Sequence, residues 1–129
     1  MNINCCNIEF GFLDYRVLKP LQGKLKKLPE GLYKKLKKSF EQKGMFVPFF
    51  VWRKNDSEYY ILDGHGREKL FENEKVIIHS SKGEGYDIPC IFIDAENEKD
   101  AKEKLLIINS TYQEFDDFTD FTNDIDEDF

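Results

Sequence analysis

The residues best suited to chemistry form one block, Asp63-Gly64-His65-Gly66-Arg67, between an apolar run and a helical pattern. Two glycines let the backbone adopt positive φ and let a ligand approach closely, and a helix start favours an anion such as phosphate. Arg67 offers a planar fork of donors for phosphate oxygens. Asp63 can hold a metal ion such as Mg²⁺ or act as a base, and His65 can donate to phosphate or carry a proton. An ordinary tight turn, with Asp63 capping the helix, is the alternative that the block alone leaves open.

A helix and a hairpin are predicted before the block, and they must position it. Leu32, Leu36 and Phe40 recur at the spacing of one helical face. Residues 47–53 and 58–62 are rich in aromatic and β-branched residues, and the polar turn between them predicts a hairpin. The block therefore lies at a turn from a strand into a helix.

The whole pattern predicts one α+β domain, a small mixed sheet with packed helices. The other predicted elements are a strand at 13–19, a helix following the block, a polar loop at 80–85, a strand at 87–94 and a helix at 98–109. We predict an N-terminal extension (1–11), the domain (12–112) and an acidic, aromatic-containing tail (113–129).

Charge is distributed unevenly along the chain. The net charge is −6, yet the stretch from Arg16 to Lys43 contains ten basic and two acidic residues, and after Lys104 there are eight acids and no basic residue. The lysines of the predicted helix are candidates for contacts with DNA or a protein partner, with a solvated helix face as the alternative: Lys34, Lys35, Lys37 and Lys38. Residues 113–129 suit a peptide that docks on a protein partner, a cover over the basic helix, or a flexible arm.

Composition predicts a chain with its own core. The 129 residues are 40% apolar and 15% aromatic, which excludes a chain disordered throughout. No apolar run approaches the ~20 residues that span a bilayer, and the start lacks a signal-peptide pattern, so we expect a cytoplasmic protein and no membrane contact. Cys90 lies in an apolar run and should be a core residue. Because no CxxC pair is present, we expect no zinc.

The chain resembles the ParB/sulfiredoxin superfamily, specifically the stand-alone ParB-like N-terminal domain of phages and mobile elements. The resemblance covers roughly residues 16–113. The segment YYILDGHGREKL (59–70) is similar to the signature IxDGHxRxxA, and LYKKLKKSFEQKGMFVPFFVW (32–52) is similar to the family's helix, glycine and strand. IPCIFIDAENEKDAKEKLLIINSTY (88–112) is similar to its closing strand and helix.

This resemblance implies a ParB/sulfiredoxin-like fold with a pocket for a nucleotide (ATP, ADP or CTP), with Mg²⁺ at Asp63. Gly64 and Arg67 match the family's G-x-x-R core, and Gly66 lies beside them in the phosphate-binding turn. Asp63 and His65 match positions that are catalytic in a kinase branch acting on free serine.

Two further residues are carried over from other branches. Ser39 matches a helix hydroxyl that contacts phosphates in sulfiredoxin-like members, and Asn109 matches the asparagine of the ENxxR box of CTP-binding partition proteins. That box needs an arginine where this chain has Tyr112. Sulfiredoxin needs a cysteine just before the His-Arg of its signature, and this chain has no cysteine in the block, so we exclude sulfiredoxin activity.

Two classes of function follow, and a third candidate ranks below them. The first is a ParB-like nucleotide- or phosphate-binding domain in DNA modification, maintenance or processing, encoded by a phage or mobile element and acting in a bacterial host cell. Nucleotide hydrolysis or phosphotransfer stays open. The second is a non-enzymatic protein-interaction module that uses the basic helix and the acidic tail. A ParB-like nuclease or a small-molecule kinase-like activity is the third.

Overall fold

The computed structural model describes residues 1–21 and 29–113, with side chains described up to residue 109. The elements in chain order are β1 (Ile8–Asp14), a 3₁₀ turn (Tyr15–Val17), β2 (Leu18–Pro20), α1 (Glu30–Lys43), β3 (Phe49–Asn55), β4 (Glu58–Asp63), α2 (His65–Glu74), β5 (Ile78–Ser80), β6 (Gly83–Gly85), β7 (Asp87–Ile93) and α3 (Glu98–Gln113). Among the described helices, none has the length and apolar composition needed to cross a membrane.

Five strands form one mixed sheet in the order β1-β7-β3-β4-β2. β1 runs antiparallel to β7 and β3 runs antiparallel to β4, whereas β3/β7 and β2/β4 are parallel pairs. β5 and β6 form a separate short hairpin. This architecture confirms the predicted α+β class, with a small mixed sheet and packed helices.

The helices cover the two faces of the sheet. On one face, α1 and α2 pack over a cluster of buried side chains: Tyr15, Leu18, Phe49, Val51, Ile61, Leu70, Phe71, Ile88 and Cys90. On the other face, α3 packs through Ala101 and Leu105 against Trp52 and Leu62. Alternate strand residues point to opposite faces, so β3 supplies both clusters. Cys90 is a buried core residue, as predicted.

Tyr15 joins the sheet to the far end of α2. Its ring is buried, and its hydroxyl donates to the Val76 carbonyl at 2.7 Å and to the Phe71 carbonyl at 3.2 Å. No local sequence pattern singles out this residue. Because it satisfies two backbone acceptors at the C-terminal end of α2, it fixes the helix that carries the Asp63–Arg67 block.

Three predicted boundaries differ from the structure. The strand predicted at 13–19 is wrong as a single element, because the chain turns at Tyr15–Val17 between β1 and β2. β1 begins at Ile8, inside the predicted extension, and pairs with β7 along its length. The predicted polar loop at 80–85 contains β6, which pairs with β5. Residues 22–28 and the acidic tail beyond Gln113 lie outside the described residues.

Candidate functional site

The predicted block lies where β4 passes into α2, and Gly64 makes that junction. It is the N-cap residue of α2 and has φ of 122°. Because it is a glycine, it has no side chain to accept hydrogen bonds from the first-turn N–H groups. A Cβ built on Gly64 would lie 2.4 Å from a ring carbon of Phe49. The sequence interpretation assigned the close approach to a ligand, whereas the structure shows that the ring of Phe49 fills this space. Gly66 lies in the first turn of α2.

Arg67 links the start of α2 to the segment before β3. Its guanidinium donates to the carbonyls of Val47 and Pro48 and lies 4.2 Å from the ring centroid of Phe49. Its Nη2 is 3.8 Å from an Oδ of Asp63, and the two side chains are only 14% and 22% exposed. Arg67 therefore has a structural role as well as placing a positive charge at the junction.

A cleft of about 320 Å³ opens beside this junction, between α1 and the 44–47 segment. It is lined by Leu36, Ser39, Phe40, Gly44, Phe46, Val47, Asp63 and Arg67. Three residues that the sequence indicated separately, Ser39, Asp63 and Arg67, thus share one cavity. The four apolar residues of its walls were missed as site residues, although Leu36 and Phe40 belong to the stripe that predicted α1.

His65 and Asn109 are not among the cleft-lining residues. The Nε2 atom of His65 is buried and has no hydrogen-bond partner among the described residues, and burial lowers the imidazole pKa below its usual value. His65 is therefore neutral near pH 7. Asn109 belongs to α3, which packs on the opposite face of the sheet.

The lysines predicted to contact DNA or a partner lie on α1, next to the cleft. Lys34, Lys35 and Lys38 are exposed, with Lys34 3.5 Å from Glu30. Lys37 forms a 2.8 Å ion pair with Glu74 of α2. All four lysines thus present charge to solvent, and Lys37 also ties α1 to α2.

Within residues 1–21 and 29–109, no three His, Cys, Asp or Glu side chains form a group that could hold a metal ion. Among the cleft-lining residues, Asp63 is the single carboxylate. An ion here would have to take most of its ligands from the bound molecule and water.

Solved protein structures resemble this fold. The first is the C-terminally truncated chromosome-partitioning protein ParB from Caulobacter crescentus, complexed with CTP-gamma-S, with a TM-score of 0.58 and 16% identity over 78% of this chain and 52% of that one. This chain has the fold of a ParB N-terminal domain. The second, a Pnob8-like ParB-N domain, gives a TM-score of 0.54 and 14% identity over 76% of this chain and 34% of that one.

The ParB-like resemblance drawn from the signature block is thereby confirmed at the level of fold. The chain matches only about half of the first ParB structure and about a third of the second. No protein-family model matches the chain, and no curated protein sequence matches it.

Proposed function

We propose that this chain is a ParB-like domain that binds a nucleotide or another phosphate compound and serves DNA modification, maintenance or processing. The observation that supports this most is the shared cleft of Ser39, Asp63 and Arg67 at the start of α2. The similar ParB structure, which contains CTP-gamma-S, supports the choice of ligand class. The phage or mobile-element source, and a bacterial cytoplasm as the location, are part of the same proposal.

The cleft offers different surroundings to the two ends of a nucleotide. Leu36, Phe40 and Phe46 form apolar walls suited to a base, and a volume of about 320 Å³ lies at the lower end of the range of ligand pockets. The hydroxyl of Ser39 and the guanidinium of Arg67 suit phosphate oxygens. Helix α2 adds the positive end of its dipole at the same place.

Binding is the activity that this arrangement supports best. A phosphate next to Asp63 would be repelled unless a cation accompanied it, so we propose Asp63 as a contact for nucleotide-bound Mg²⁺. For hydrolysis or phosphotransfer, Asp63 is the better-placed base, since His65 is buried beside the cleft-lining set rather than within it. Asn109 would reach the ligand only from the other face of the sheet.

DNA contact through α1 is a separate part of the proposal. Lys34, Lys35 and Lys38 can neutralise phosphates without reading bases, because lysine alone is a poor base reader. Binding of this kind should weaken steeply as salt is raised and should depend little on DNA sequence.

The test is thermal unfolding with ATP, ADP, CTP or GTP in the presence of Mg²⁺. A nucleotide at 100 times its Kd should stabilise the native state by about 2.7 kcal/mol. Ser39→Asp should abolish the rise in Tm, because a carboxylate in the cleft repels phosphate. Ser81→Ala, at an exposed position that is not among the cleft-lining residues, is the control and should respond like the wild type. Arg67→Ala is a poorer test, since it also releases Val47 and Pro48.

The proposal fails if no nucleotide raises the Tm, or if Ser39→Asp responds as the wild type does. Either result would favour the second candidate function, a protein-interaction module that binds no nucleotide. The observation that favours it is the exposure of Leu32 and Phe46 next to the cleft.

A further inference from the structure

The cleft continues into an apolar strip that the described residues leave uncovered. Phe46 is 73% exposed and Leu32, one turn before Leu36 on α1, is 52% exposed. α1 has no fully buried residue, although Leu36 and Phe40 pack partly on the core. The strip therefore offers an apolar peptide both a half-open cleft and a bordering surface.

Lysines border this strip on the cleft side. Lys35, Ser39 and Lys43 are spaced four apart on α1 and so share one face of the helix. Ser39 lines the cleft, which puts Lys35 and Lys43 one turn to either side of it. Neither lysine, nor the exposed Lys38, has an ion-pair partner in the part of the chain that the structure describes. A ligand of this surface should be apolar and acidic together.

The same chain contains a segment of this composition. Beyond Gln113, sixteen residues carry eight acids, no basic residue and five large apolar residues: Phe115, Phe118, Phe121, Ile125 and Phe129. Their positions lie outside the described residues, so the match rests on charge and composition.

Chain length decides which part of the acidic tail can reach the cleft. α3 packs on the face of the sheet opposite to α1. A domain of this size is about 35 Å across, since its radius of gyration is about 13 Å. At about 3.3 Å per extended residue, Phe118 lies at most about 17 Å from Gln113, whereas residues 121–129 reach from about 26 Å to about 53 Å.

We propose that residues 121–129 of the acidic tail dock in cis on the cleft of α1, with an apolar side chain against Leu36 and Phe40 and carboxylates beside Lys35 and Lys43. The docked segment covers Ser39. Docking itself does not require a nucleotide, but its consequence rests on the proposed function: the segment and a nucleotide would compete for one cleft, so the acidic tail would inhibit binding.

A nitroxide spin label at residue 123 tests the docking in the full chain. Asn123→Cys is labelled in a Cys5→Ser/Cys6→Ser background, in which Cys90 is buried. Amide signals of Ser39 and Phe46 should lose most of their intensity. They should recover at about 1 M NaCl, where the Debye length is about 3 Å.

Matched tail variants separate the far acids from the near ones. Neutralising three far acids (Asp124→Asn, Asp126→Asn, Glu127→Gln) should restore the amide signals and raise nucleotide affinity several-fold. Neutralising three near acids (Glu114→Gln, Asp116→Asn, Asp117→Asn) should do much less. Broadening confined to α3 and β1, or equal effects of the two triple variants, would overturn the proposal.

Three further outcomes separate the docking proposal from the proposed function. Broadening of an isotope-labelled chain by a spin-labelled second copy, in a mixture of the two, would show docking between copies and refute docking in cis. Broadening of the cleft signals without any nucleotide binding would refute the proposed function and leave the docking standing. Nucleotide binding without broadening of the cleft signals would refute the docking and leave the proposed function standing.

Discussion

Gly64→Ala should be among the most damaging single-methyl additions to this protein. The added Cβ would lie 2.4 and 2.7 Å from two ring carbons of Phe49, which is fully buried. Carbon atoms normally approach to about 3.5–4.0 Å, so the ring or the junction must move by about 1 Å. The backbone at φ of 122° adds strain of its own for any residue with a side chain.

The expected loss is large compared with the stability of a typical domain. Strained backbone costs about 1–3 kcal/mol and overpacking a core costs about 1–3 kcal/mol. Together they predict a loss of about 2–6 kcal/mol, against a total free energy of unfolding of about 5–15 kcal/mol for native proteins. Fluorescence of Trp52, the single tryptophan, reports unfolding in urea.

Two variants test the cause of that loss. Gly31→Ala adds the same methyl to α1 with nothing within 4 Å, and should leave stability within about 1 kcal/mol of the wild type. Phe49→Leu should relieve the clash, so the double variant Gly64→Ala/Phe49→Leu should lose less than the sum of the single losses. A loss below about 1 kcal/mol for Gly64→Ala, or strict additivity with Phe49→Leu, would refute the steric argument.

Three other predictions concern buried or half-buried polar groups. Burial first, and then the Glu72 carboxylate, raises the pKa of Glu68 to about 7, so the wild-type protein should lose stability as the pH rises from about 4.5 to about 7. After discounting for solvent screening, we expect Glu68→Gln to be about 1 kcal/mol more stable than the wild type at pH 8 and equally stable at pH 4 in urea unfolding. A gain in stability that is equal at both pH values would contradict this reasoning. Tyr15→Phe removes the hydroxyl donor from the Val76 carbonyl, while the Phe71 carbonyl still accepts from the Val76 N–H. The change should cost about 1–3 kcal/mol, whereas the same change at the exposed hydroxyl of Tyr59 should cost much less in the same assay. Burial raises the pKa of the Cys90 thiol to about 12. An alkylating reagent should therefore modify the two exposed cysteines of the native protein and should reach Cys90 only on unfolding. Rapid reaction of all three cysteines would contradict the burial of Cys90.

Local patterns predicted the elements whose signals are contained in one stretch of sequence. The Leu32, Leu36 and Phe40 spacing predicted α1, which ends at Lys43 before Gly44 with φ of 71°. The polar turn between residues 53 and 58 predicted the β3–β4 hairpin, since that signal also lies within one stretch of sequence. β6 was missed because Gly83–Gly85 carries no strand propensity and is a strand only through its pairing with β5.

The polar residues that line the cleft, Ser39, Asp63 and Arg67, were predictable from the sequence, but the geometry of the site was not. Spacing places Arg67 one turn after Asp63, yet it does not reveal that the carbonyls of Val47 and Pro48 accept hydrogen bonds from the guanidinium. Phe49 likewise gives no sign in the sequence that it occupies the space beside Gly64. These contacts join residues 15–20 positions apart along the chain, which no local periodicity records.

The position of β7 in the sheet has a consequence for biosynthesis. β7 is the last strand of the sheet in chain order, yet it lies between β1 and β3, so the first strand has no neighbour in the sheet until Asp87–Ile93 has been made. A ribosome must therefore release most of the domain before the N-terminal strand, with its exposed Ile8 and Phe10, can pair at all. Nascent chains that stop before β7 would present an unpaired apolar strand, and these are the intermediates on which chaperones should act.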